Sequence, residues 1–129
     1  MTAAELAQHH EKQKWLNEAR ATYRELRLKA HPAPKLDGLP HGTDTGRKVE
    51  ELGIVLADIA GQIEALQAEV AETLPAVYDF ITGIDDGTTR NVFSLRVLCG
   101  LPWSRVGEYA QTDPEAARKR YFRYLQKKA

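Results

Sequence analysis

Glu115, Ala116, Arg118 and Lys119 put an acceptor, a small apolar side chain and two cations within five positions. That mixture suits the edges of base pairs. Arg and Lys donate to guanine, Glu accepts from the cytosine amino group, and a small Ala lets a helix approach closely or touch a thymine methyl. Arg123 and Lys127 follow at helical spacing, and Arg105 and Thr112 come shortly before. Those four suit phosphate oxygens, which supply affinity without sequence information.

Little else in the chain suggests chemistry. His9, His10, His31 and His41 lack the spacing of metal ligands, so no metal or other cofactor is expected. Asp85-Asp86 reads as a capping pair rather than an acid/base dyad. Gly42-Thr43-Asp44-Thr45-Gly46 lacks the lysine and the length of a phosphate loop and reads as a turn. With no nucleophile–base set, an enzyme is not expected.

The elements that would position the contact residues are legible nearby. Asp113 is placed to cap a last helix with Pro114 as its first residue. At 100° per residue, Ala117, Tyr121, Tyr124 and Leu125 share the inward face, and Lys119 lies nearly opposite. The N-terminus of this helix would itself favour a phosphate. Residues 102–110 form the preceding helix, burying Trp103, Val106 and Ala110, with Pro102 as its first residue. Gly107 supplies the small residue needed where the two helices meet. The corner holds Gln111 instead of the usual Gly, so either Gln111 takes a left-handed conformation or the corner has another geometry. Two short helices in this arrangement have the form of a helix-turn-helix DNA reader.

Charge is segregated although the 129 residues sum to zero. Residues 102–129 hold seven Lys/Arg and three acids; residues 48–74 hold one Lys and six acids. A basic end beside an acidic middle fits a nucleic-acid binder whose remainder is kept off DNA. The single cysteine, Cys99, excludes an internal disulfide, suggests a reducing compartment and reads as a buried small apolar residue. No apolar run is long enough to span a membrane, and the N-terminus lacks a signal-peptide core, which makes cytoplasm the expectation.

The N-terminal half reads as helical. Residues 2–30 contain no Gly or Pro, and Leu16, Ala19, Tyr23, Leu26 and Ala30 form one apolar stripe, thinning before Leu16 to Leu6, His10 and Gln13. His31-Pro32-Ala33-Pro34 ends that helix and opens a loop over 31–47. Asp44 or Thr45 would cap the next helix. From there Val49, Leu52, Leu56, Ile59, Ile63, Leu66, Val70, Thr73, Val77, Phe80 and Ile84 alternate three and four apart, a coiled-coil seam. Pro75 predicts a kink or a fresh start. The seam serves either a hairpin within the chain or a partner. The longer run on the second helix favours a homodimer through the 49–73 heptads. Asp85-Asp86-Gly87-Thr88 is a turn and helix start, residues 89–99 form a helix, and Gly100 takes the left-handed position after it.

Ile81-Thr82-Gly83-Ile84-Asp85-Asp86, Thr89-Arg90, the block from Leu95-Arg96-Val97-Leu98-Cys99-Gly100 through Leu101-Pro102-Trp103-Ser104-Arg105-Val106-Gly107, and Ala117-Arg118-Lys119-Arg120 carry a family resemblance. Over about residues 49–125 the chain resembles the phage- and prophage-encoded sigma-like regulators, grouped with RinA- and ArpU-type late-gene activators. Their C-terminal module is similar to the minus-35-reading domain of bacterial sigma factors. Three positions depart from that pattern: Pro102 stands for Ser, Gly107 for Ala, and Ala117 for a larger aliphatic. The resemblance implies sequence-specific binding to double-stranded DNA near a promoter in a bacterial host, with RNA polymerase as a further partner.

The expectation is therefore an all-α protein. A helical hairpin or coiled coil occupies residues 1–74 and a three-helix helix-turn-helix module residues 75–129. Two other readings use the same features: a DNA-packaging recognition subunit similar to phage small terminases, and a coiled-coil adaptor that binds no DNA.

Overall fold

The structure is a computed structural model, and it describes residues 1–30 and 43–128, with the side chains of 43–47 left aside. The described residues are all-α: α1 (Ala3–Ala30), α2 (Thr43–Thr82), α3 (Gly87–Phe93) running on into a π-helical turn (Ser94–Leu98), α4 (Trp103–Ala110) and α5 (Pro114–Lys128). Most of the expected loop over 31–47 lies outside the described residues, as do His31, His41 and any cap by Asp44 or Thr45. The backbone is already helical at Thr43, so the turn expected over 42–46 is replaced there by the first turn of α2.

α1 and α2 pack antiparallel, because the start of α1 meets the far end of α2: His9 Nδ1 lies 2.6 Å from Thr73 Oγ1. The expected stripes are the ones that turn inward. Leu16 and Ala30 of α1 and Val70 of α2 are buried, and Ala19, Tyr23, Leu26, Leu52, Leu56, Ile59, Ile63 and Leu66 are half-buried. Among the described residues the element neighbouring α2 at this level is α1, so the seam from Leu52 to Thr73 faces α1, while Val49 is exposed. α2 continues through Pro75 without a fresh start. Proline there deprives the Ala71 carbonyl of its usual donor. On either side of it Val70 and Val77 remain buried.

The main core joins both halves of the chain. Leu6 of α1 packs with Val77 and Ile81 of α2, Ile84, Val92, Phe93, Val97, Val106, Ala117 and Tyr121. The aromatic rings set its geometry: Phe93 stacks on Tyr121 at 4.3 Å between centroids, and Phe80 and Tyr124 meet Phe93 at 5.7 and 5.4 Å. These separations fall in the range where ring pairs attract beyond simple burial.

The π turn was not legible in the sequence. It ends with Cys99 N–H donating to Ser94 C=O at 3.1 Å, after which Gly100 takes φ +70°. A β-carbon on Gly100 would lie 2.9 Å from Gln13 Cγ and 3.0 Å from the Lys14 amide nitrogen. This turn is thus pressed against α1, and Asn17 Nδ2 donates to the Cys99 carbonyl at 2.8 Å. The Arg96 carbonyl accepts His10 Nδ1–H at 2.6 Å. Cys99 itself is exposed, contrary to the sequence reading. Gly100 takes the buried place, and the cysteine points away from the contact.

Candidate nucleic-acid interface

α4 and α5 form the helix pair expected from the sequence. Pro102 stands just before α4 with an extended backbone (ψ 160°) instead of forming its first turn, and its carbonyl accepts the Arg105 and Val106 amides, both at 3.0 Å. No side chain caps this start. At the other end Gln111 takes the left-handed conformation, φ 56° and ψ 45°. That resolves the corner: Thr112 N–H donates to the Gly107 carbonyl at 2.9 Å, and Asp113 opens α5. The Asp113 carboxylate accepts the Glu115 and Ala116 amides at 3.1 and 3.3 Å. The start of α5 is therefore capped by Asp113, as the sequence reading expected, and those two amides are engaged by it.

Gly107 lies against the corner. A β-carbon there would come 2.8 Å from both the Pro114 nitrogen and the Thr112 carbonyl oxygen, and 2.9 Å from Pro114 Cα. These are backbone atoms that cannot swing aside, so the position requires glycine and not merely a small residue.

The faces of α5 separate as expected. Ala117 and Tyr121 are buried, and Tyr124 and Leu125 are half-buried. Glu115, Ala116, Arg118, Lys119, Arg123 and Lys127 are exposed. Trp103 is half-buried against Tyr121 at 5.3 Å, with the Arg96 guanidinium 4.5 Å above its ring. Arg96 also donates to the Leu101 carbonyl at 3.0 Å, tying the π turn to the start of α4.

The structure does not treat the named contact residues alike. Arg105 pairs with Glu108 at 3.2 Å and Arg118 with Glu115 at 3.3 Å, both exposed (i, i+3) pairs. Arg118 also lies over the Phe122 ring at 5.3 Å. Thr112 is half-buried in the corner. Ala116, Lys119, Arg123 and Lys127 come together on the wall of a cleft, with Asp86 and Thr89 opposite. Among the described residues Lys119, Arg123 and Lys127 have no ion pair.

Sequence reasoning read Asp86 as a cap but did not bring Asp86, Thr89 and Arg120 to this cleft. Asp86 caps α3, accepting the Thr89 amide at 3.1 Å and the Thr89 hydroxyl at 2.6 Å, and it also accepts Arg120 Nη1 at 2.9 Å. The Thr89 hydroxyl and amide, then the Arg120 guanidinium, hold the Asp86 carboxyl below the usual carboxylate range. The Asp86 cap was readable from its neighbours. The link to Arg120 was not, since the two residues are 34 positions apart.

Among the described residues no three His, Cys, Asp or Glu side chains are grouped to hold a metal ion. None of the described helices is long and apolar enough to cross a membrane. No protein-family model, curated protein or solved structure matches the chain.

Proposed function

We propose that this chain is a sequence-specific duplex-DNA-binding regulator of the phage sigma-like type, which lays α5 in the major groove. One observation supports this above the others. α5 buries Ala117 and Tyr121 while holding Lys119, Arg123 and Lys127 in solvent without acidic partners among the described residues. A helix held by aromatic packing on one side and cationic on the other meets the positional needs of a recognition helix. The left-handed Gln111 corner and the close approach at Gly107 support the same reading, because they fix α5 rigidly against α4.

The test is a fluorescence-anisotropy titration with random and then selected duplexes. Affinity should fall steeply as salt rises, since each neutralised phosphate releases counterions. Lys119→Ala should weaken binding to a selected site by about 1–3 kcal/mol if it reads a base. Binding that is insensitive to salt, or absent at low salt, contradicts the proposal and favours an adaptor. A DNA-packaging subunit would use the same helix pair, and a large ring in solution, in place of a monomer or dimer, would favour it.

A further inference from the structure

The outward side of α5 has two edges with different chemistry. One edge carries Ala116, Lys119, Arg123 and Lys127 and borders a cleft of about 500 Å³, with Asp86 and Thr89 across from it. Among the described residues Asp86 is the one acid lining this cleft, and it is already engaged by the Thr89 amide, the Thr89 hydroxyl and Arg120. Arg120 is thereby fixed as part of the cleft lining. Lys119, Arg123 and Lys127 are left with their charge facing solvent.

The other edge is self-satisfied. Glu115 neutralises Arg118, and the Arg118 guanidinium rests on Phe122. Farther along, Phe122 and Leu125 share a narrow cavity of about 120 Å³ with Ala3, Ala7 and Glu11 of α1. A polyanion approaching over this edge meets Glu115, Glu11 and the body of α1, and the cation lining the cavity there, Arg96, is already held by the Trp103 ring and the Leu101 carbonyl. Approaching over the cleft edge, it meets cations and a carboxylate already covered by donors.

Resting on the DNA-binding reading above, we propose that the cleft between α5 and the start of α3 seats the phosphodiester backbone of one DNA strand. Arg123 and Lys127, one helical turn and about 6 Å apart along the axis, contact its phosphates. Lys119 stands at the mouth of the cleft, nearest the base edges. Arg118 and Glu115 serve each other and Phe122 and stay off the duplex. This redraws the contact set expected from the sequence, where Glu115 and Arg118 were base readers.

The experiment is a salt series of anisotropy titrations of the full chain on random duplex DNA. It compares the wild type with Arg123→Ala, Lys127→Ala and Arg118→Ala, all at exposed positions, with circular dichroism confirming unchanged helicity. Arg123→Ala and Lys127→Ala should each reduce the slope of log K against log salt by about 1, and should weaken binding on every duplex alike. Arg118→Ala should leave the slope unchanged. The proposal is overturned if Arg118→Ala lowers the slope as much as Arg123→Ala, or if the two cleft variants leave it unaltered. A wild-type chain that fails to bind duplex at low salt ends both this proposal and the DNA-binding reading. A wild type that binds normally while the cleft variants are neutral ends only the assignment of the cleft.

Discussion

Gly107 shows how much a single residue can decide. It was legible as a small residue needed where the last two helices meet, without the atoms that require it. The contact is with backbone at Thr112 and Pro114. Chain geometry at a tight corner sets that requirement, and side-chain spacing does not display it. Gly107→Ala should therefore destabilise the fold by about 1–3 kcal/mol, the range for overpacking, even though alanine is the better helix former. Urea denaturation monitored by helicity measures this. A stabilised variant would show that the corner is looser than described.

His9 and His10 also act at the residue scale. Both are buried, and desolvation pushes each imidazole below its ordinary value of 6.5; neighbouring Lys12 adds to this at His9. At His10 the hydrogen bond to the Arg96 carbonyl opposes the shift, as does nearby Glu11, while Arg96 and Lys14 reinforce it. His9 Nε2 has no hydrogen-bond partner among the described residues, so a proton there would be buried unpaired. The unfolded chain then binds more protons than the folded one below pH 6.5. Stability should be full above that pH and decline as pH falls through it. Thermal melts between pH 8 and 5 should show the decline, and His9→Gln or His10→Gln should each flatten part of it. A wild-type melting temperature that is level across this range would contradict the burial of the pair.

Elements with local signatures were read correctly. Asp113 and Pro114 start α5, Gly100 ends the turn before α4, and the three-four stripe of α2 turns inward, because in each case neighbours within a few residues determine the outcome. The π turn at Ser94–Leu98 and the uninterrupted passage of α2 through Pro75 were not readable. Both regions are met by α1, through His10 to Arg96, Asn17 to Cys99 and His9 to Thr73, partners 64 to 86 residues apart that no local pattern displays. The hairpin raises its own question. Residues 52–66 of α2 include only two charged side chains, Asp58 and Glu64, yet Ile54 is 73% exposed and Val55 44%. A helix apolar on nearly every side is normally covered, and among the described residues α1 covers only the seam. A second copy of the chain on the open side is the proposed cover. Light scattering at micromolar concentration should then give a mass above the 14.5 kDa of one chain. The double variant Ile54→Lys/Val55→Lys should return it to a single chain. A monomeric wild type would contradict the proposal.

At the scale of the molecule, the expected division at residue 74 falls inside a continuous helix, and one core draws on Leu6 as well as Tyr121. The sequence could not reveal this, since only folding brings α1 against the π turn and the aromatic cluster. The consequence is that α5, the proposed recognition helix, shares its core with the start of α1 and the end of α2. The acidic stretch over 48–74 lies on the hairpin, away from the cationic cleft of α5. The measurement that tests this arrangement most directly is a nuclear magnetic resonance titration of the full chain with duplex DNA. Amide shifts should cluster over residues 116–127 and around Asp86 and Thr89, leaving residues 48–66 unmoved. Shifts concentrated on the hairpin, or none at saturating duplex and low salt, would contradict the account.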